Sequence, residues 1–167
     1  MKLLLIRHAR AEERAAFAAS GLPDEERPLT RDGIRRMRRA CAGLAREVVT
    51  LDLIASSPLL RARQTAEIVH AAYPQARRTE LGALSPGAHP RAVRDWLRDQ
   101  EAGAVALVGH EPDLGLLAAW LLSGDAHPFL PMKKGAACLL DLPGAIEEGA
   151  ATLAWSLQAR HLAALRA

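Results

Sequence analysis

The sequence predicts an α/β fold with a mostly parallel sheet, helices on both faces and an antiparallel edge. Two observations carry this. Short apolar runs alternate with segments of helical periodicity through most of the chain, the pattern of parallel strands joined by crossovers. The last part breaks that alternation. Ala136 to Leu142 and Thr152 to Leu157 are both strand-like, with Pro143-Gly144 and Glu147-Glu148-Gly149 between them, which makes an antiparallel pair.

Taken in order, Leu3 to Ile6 is an apolar run that ends in charge and reads as a buried strand. Residues 9–29 are polar, small and Pro-containing, a long loop with a helical turn or two around Glu13 to Ala19. Thr30 is an N-cap, with Asp32 in the first turn of the helix it opens. Ile34, Met37, Cys41, Leu44 and Val48 recur at spacings of three and four and mark its buried face. Leu51 to Ser56 is the second strand, and Ser57-Pro58 reads as N-cap and first residue of the next helix. That helix runs to about Ala72 with Leu59, Ala62, Ala66 and Val69 inward. Thr79 to Leu81 is a short strand, and Pro90 opens a helix through Val93, Trp96 and Leu97. Ala104 to Val108 is another buried strand. It ends at Gly109-His110, and Pro112 starts an apolar helix to about Leu122. Residues 159–166 form a terminal helix.

The chain has 167 residues, which fits one domain over residues 1–167. Half of them are hydrophobic and a quarter charged, the profile of a soluble globular protein. Cys41 and Cys138 sit apart among apolar neighbours and read as buried free thiols. Arg7-His8 cuts the first apolar run far short of a signal peptide, and no stretch is long enough to span a membrane, so the expected location is the cytoplasm. The net charge of +3 suits an anionic substrate.

Open α/β sheets bind ligands at the carboxyl ends of their strands. Arg7-His8 follows the first strand, Arg61 sits in the first turn after the second, and His110 follows the strand Ala104 to Val108. The chemistry of that set is coherent. Two arginines offer forked donors that match the oxygens of a phosphoryl group. Helix N-termini after Ser57 and His110 add backbone N–H groups. A neutral imidazole beside the phosphorus can attack it, and a second, protonated imidazole can bind the equatorial oxygens as charge shifts. No metal or cofactor is needed, because the arginines supply the positive charge. The same arginines disfavour protonation of His8 in the empty site.

Arg7-His8-Ala9 resembles the Arg-His-Gly/Ala signature of the histidine phosphatase superfamily, which includes the phosphoglycerate mutases. Ser56-Ser57-Pro58-Leu59-Leu60-Arg61-Ala62-Arg63-Gln64-Thr65-Ala66 resembles its second block and Val108-Gly109-His110-Glu111-Pro112 its third. The short chain, Arg10-Ala11, Pro28-Leu29-Thr30 and Leu84-Ser85-Pro86-Gly87 are most similar to the SixA branch, the phosphohistidine phosphatases. The resemblance implies a three-layer, phosphoglycerate mutase-like α/β/α sandwich. It implies His8 as the phosphorylated residue, with Arg7, Arg61 and His110 binding phosphate. It also implies signal transduction, with a histidine-phosphorylated protein domain as the expected substrate.

Larger members of that family carry an acid that protonates the leaving oxygen. Here the candidate proton donors are Glu80, in the right region, and Glu111, adjacent to the pocket, while Ala83 stands near the expected place. An imidazole leaves far more readily than an alkoxide, so a missing acid favours a phosphoramidate substrate. Two other readings keep the pocket: a phosphatase of a small phosphate ester such as a sugar phosphate, and a non-catalytic phosphate-binding module.

The remaining histidines lack metal-ligand spacing. Arg35-Arg36-Met37-Arg38-Arg39 has no interleaved aromatics and reads as a solvated helix face, not a nucleic-acid patch. Lys133-Lys134 lies near the pocket or starts a strand, and Asp113 reads as a capping or surface residue.

Overall fold

The computed structural model describes residues 1–125 and 127–166. The elements are β1 (Lys2–Arg7), α1 (Arg14–Ala18), a 3-10 turn (Asp24–Glu26), α2 (Arg31–Glu47), β2 (Leu53–Ser56), α3 (Leu60–Ala72), β3 (Arg77–Glu80), a 3-10 turn (Gly82–Leu84), α4 (Pro90–Arg98), β4 (Ala104–Gly109), α5 (Asp113–Ser123), β5 (Ala137–Asp141), β6 (Thr152–Leu157) and α6 (Ala159–Ala164). The six strands form one sheet in the order β3-β2-β4-β1-β5-β6. The first four are parallel to one another, and β5 and β6 run antiparallel at one edge.

The sheet divides the core into two layers. Alternate side chains of a strand point to opposite faces, so Leu4 and Ile6 of β1 pack against α2, α3 and α6, while Leu3 and Leu5 pack against α4 and α5. The central strands are buried on both faces, which explains their continuous apolar runs. In α2, Met37, Cys41, Leu44 and Val48 are buried as their spacing predicts, and Ile34 is half-buried. Thr30 caps this helix, its hydroxyl accepting from Gly33 N at 2.9 Å. Gly43 lets α6 approach: a Cβ there would sit 1.8 Å from the carbonyl oxygen of Leu162.

Three boundaries differ from expectation. The third helix starts at Leu60 with Leu59 as N-cap, not at Ser57-Pro58. The Ser57 hydroxyl accepts from Leu59 N at 3.3 Å and serves the turn instead. The edge strand β3 spans Arg77–Glu80, ahead of Thr79 to Leu81, and its exposed side chains gave no apolar signal. The loop over 9–29 holds α1, the 3-10 turn and a bridge between Ala11 and Leu29, which closes it into a local unit. No helix among the described residues is long and apolar enough to cross a membrane.

Candidate active site

The parallel register assembles the site. Arg7 pairs with Gly109 across β1 and β4, and Ser56 pairs with Val108 across β2 and β4. The three strands therefore end at one rim. The chain is tied as it leaves them: His8 N donates to Gly109 O, and Ser57 N to Val108 O, both at 2.9 Å. The residues that follow, His8, His110 and the Ser57 turn leading to Arg61, converge there. The rings of His8 and His110 lie 5.1 Å apart between centroids.

His8 is buried, and its Nδ1 lies 2.7 Å from the carbonyl oxygen of Ala9. A carbonyl only accepts, so Nδ1 carries the proton and Nε2 keeps its lone pair. Its pKa is pushed down to about 3, first by burial, then by His110, Arg61 and Arg7. The arginines thus act in the expected direction, with burial the larger cause. Ala9 N donates to Thr65 Oγ1 at 3.0 Å, and that hydroxyl donates to Arg61 O at 2.7 Å. Thr65 therefore links the backbone beside His8 to the helix that carries Arg61.

Arg7 is anchored through one terminal nitrogen and Arg61 through both. Arg7 Nη1 donates to Met132 O at 2.7 Å, and Arg61 Nη1 to Asp24 O at 2.8 Å. Asp24 Oδ2 adds an ion pair to Arg61 Nη2 at 3.2 Å. The Nε of both arginines is buried without a hydrogen-bond partner among the described residues. Buried donors are rarely left unmade, and an anion held between the two would satisfy both. Burial, followed by the Arg27 charge, holds the Arg61 pKa below its usual value. Asp24 also pairs with Arg14 and Arg27, and these bonds hold its carboxyl well below the usual range.

His110 is buried, with Nε2 2.8 Å from Ser57 Oγ. Its pKa is lowered to about 4, by burial first and then by Arg61 and Arg7. Without an anion beside it the ring is therefore neutral at neutral pH, and the imidazolium expected to bind equatorial oxygens has to form as phosphate binds.

The two candidate proton donors part company. Glu80 is exposed on the edge strand, 3.6 Å from Arg63 Nη1, and β2 and β4 lie between β3 and β1. Glu111 is half-buried beside His110, and one carboxylate oxygen, Oε1, is buried without a partner. Burial raises its pKa, against the pull of Arg7 and a hydrogen bond from the Gly115 backbone. Ala83 lines a small cleft together with His110 and Asp113. Asp113 is no mere surface residue: its Oδ1 accepts from Gly87 N at 3.1 Å and pins the loop over that cleft. Among the described residues, no cluster of three or more His, Cys, Asp or Glu side chains could hold a metal ion.

Asp24 and Thr65 escaped the sequence reading. Asp24 lies in a polar loop and meets Arg61 across 37 positions of chain, so no local pattern marks it. Thr65 stands inside the second motif block but looks like an ordinary helix residue.

Among known proteins, residues 3–82 match the family model described as "Histidine phosphatase superfamily (branch 1)". The chain is 30% identical over 166 residues to the phosphohistidine phosphatase SixA of Escherichia coli, covering 97% of this chain and 96% of that protein. It is 38% identical over 137 residues to an uncharacterized protein of Picosynechococcus, covering 80% and 81% of the two. A solved structure of the protein histidine phosphatase SixA complexed with tungstate superposes with a TM-score of 0.82 at 28% identity, over 97% of this chain and 99% of that one. The alpha-ribazole phosphatase of Shigella flexneri shares the fold, with a TM-score of 0.69 at 21% identity over 92% and 94%.

Proposed function

We propose, from the premise that this chain belongs to the histidine phosphatase superfamily as a SixA-type member, that it removes phosphate from phosphohistidine in proteins through a covalent intermediate on His8. The observation that carries the mechanism is the hydrogen bond from His8 Nδ1 to Ala9 O, which leaves Nε2 free beside two arginines with unmade Nε bonds. In this reading Nε2 attacks phosphorus, the bond to the substrate imidazole breaks, and that ring leaves with the electron pair as a neutral imidazole, its other nitrogen having taken a proton from solvent. Phosphorylation places positive charge on the His8 ring, and the Ala9 carbonyl stabilises it through Nδ1–H. Water then attacks phosphorus, His8 Nε2 departs, and inorganic phosphate is released. Arg7, Arg61 and His110 bind the equatorial oxygens, whose charge grows in the transition state.

Support for the substrate comes from the two positions where a leaving-group acid is expected. Ala83 has no ionisable group, and Glu80 lies exposed on the edge strand, 3.6 Å from Arg63 Nη1. An imidazole requires less protonation than an alkoxide to depart. The relative from Escherichia coli carries the name phosphohistidine phosphatase.

One observation favours a second reading, a small phosphate ester as substrate. Glu111 is a carboxyl with a raised pKa next to His110, the kind of group that protonates an alkoxide. The test is kcat/KM of wild type and Glu111→Gln on a histidine-phosphorylated protein domain and on a panel of sugar phosphates. Protein phosphohistidine is expected to be preferred, and Glu111→Gln to leave its turnover within about threefold. Preference for an ester, with a loss of about a hundredfold or more in Glu111→Gln, would establish the second reading instead. Rapid quench in either case should trap phosphate on His8, and none should form in His8→Ala.

A further inference from the structure

A groove of about 730 Å³ opens from the active-site rim and runs between α2, α6 and the loop ahead of β5. On one wall stand Arg35, Arg36 and Arg39, on the other Lys133, Lys134 and Arg160. Arg7 and Arg10 close the end nearest His8, and Glu13 is the single acid. These eight cations against one carboxylate exceed the net +3 of the whole chain, so the rest of the molecule is net acidic. The charge is gathered here, not spread.

The walls come from three separate parts of the chain, which is why the arginine run alone read as a solvated helix face. Asp32 pairs with Arg35 at 2.5 Å and with Arg36 at 2.7 Å and so offsets part of the charge on that wall. Arg10, Arg39, Lys133 and Lys134 make no ion pair among the described residues. The floor is small and apolar, formed by Ala159 and Ala163 with Met37 beneath. The second wall is tied to the nucleophile: Gly135 N donates to both Arg7 O and His8 O at 3.1 Å.

We infer that this groove docks an acidic segment of the polypeptide that carries the phosphorylated side chain. The inference rests on the reading that the substrate is a protein. A lone phosphate ester needs only the Arg7 and Arg61 end. A cationic channel leading to that end is complementary to carboxylates flanking the phosphorylated residue, and a concentrated field of one sign raises the encounter rate of such a partner. The narrow apolar floor fits a backbone and small side chains between two rows of ion pairs.

The test uses peptides bearing one phosphohistidine flanked by acidic, neutral or basic residues, with the triple variant Arg39→Glu, Lys134→Glu, Arg160→Glu. Wild type should turn over the acidic peptide with kcat/KM about tenfold or more above the neutral one, an advantage that falls with added salt. The variant should lose that advantage while hydrolysing p-nitrophenyl phosphate like wild type. A variant that retains the preference, or a wild type that hydrolyses the peptides without one, overturns the inference. A second arm measures anisotropy of a labelled, unphosphorylated acidic peptide. Binding by wild type but not by the variant supports the groove even if no phosphohistidine peptide is hydrolysed, in which case only the substrate reading falls. Tighter binding of a single-stranded oligonucleotide than of the acidic peptide would overturn the docking role.

Discussion

Asp24 Oδ2 lies 3.2 Å from Arg61 Nη2, and the Asp24 carbonyl oxygen accepts from Nη1 of the same guanidinium at 2.8 Å. One residue of the 3-10 turn thus fixes two of the three nitrogens of a buried arginine and leaves the third, Nε, without a partner among the described residues. The arrangement orients Arg61 before any anion binds. Arg27 and Arg14 crowd the same carboxylate, so Asp24 also offsets the repulsion between three guanidinium groups.

Asp24→Asn keeps the backbone acceptor and removes the charge. We expect kcat/KM to fall about tenfold, close to 1.4 kcal/mol of transition-state stabilisation, with the fold retained by circular dichroism. Most of that loss should be a rise in KM with kcat little changed, because Arg61 binds phosphate in ground and transition states alike. Unchanged kinetics would mean that the packing around Arg61 orients it unaided.

Thr65 gives the second expectation. Its buried hydroxyl accepts from Ala9 N and donates to Arg61 O. Thr65→Val matches the shape and leaves the Ala9 N–H unpaired, at a cost of about 1–3 kcal/mol in urea unfolding. The displaced Ala9 carbonyl would also release His8, so activity should drop further than stability alone explains. Thr65→Ser should restore both. A valine variant of wild-type stability would show that the Ala9 amide finds another partner.

How much of this was legible in the sequence follows from whether each feature is local. The strand Leu3 to Ile6, the Thr30 cap and the rim positions of His8, Arg61 and His110 all read correctly, because apolar runs, caps and strand ends are written in adjacent residues. Asp24 against Arg61 was not legible, since the contact joins a polar loop to a helix start. The basic groove was not legible either, because three distant segments supply its walls and each looks like ordinary solvated surface by itself. The sequence put Glu80 in the right region and Glu111 next to the pocket, without deciding between them. Strand order decides only the first, placing Glu80 on the exposed edge strand, while Glu111 follows His110 in the turn before α5 and is half-buried.

Acid should destabilise the protein well above the carboxylate range. His8 and His110 titrate in the folded state near about 3 and about 4, against 6.5 for a free imidazole. As pH falls below 6.5 the unfolded chain takes up protons that the folded site refuses, so stability drops until the folded values are reached. Asp24, held well below its usual value, adds a further loss below 3.8 with the same sign. Urea midpoints should therefore fall steadily from about pH 7 to about pH 4.5. The double variant His8→Gln, His110→Gln should show a flatter profile. Equal slopes in the two proteins would place the acid lability elsewhere.

Oxyanion binding tests the state of His110 directly. Before an anion binds, its ring is neutral at neutral pH, because burial and then Arg61 and Arg7 lower its pKa to about 4. A tetrahedral dianion between Arg7 and Arg61 reverses the local charge and favours the imidazolium, which would then donate to the bound oxygens. Tungstate at about 100 times its Kd should raise unfolding stability by about 2.7 kcal/mol, and Arg61→Ala should lose most of that gain. Calorimetry at neutral pH in buffers of different ionisation enthalpy should show uptake of about one proton per anion bound, absent in His110→Asn. Full tungstate affinity in wild type without proton uptake would mean that His110 binds as a neutral donor, and that the two arginines alone neutralise the phosphoryl group.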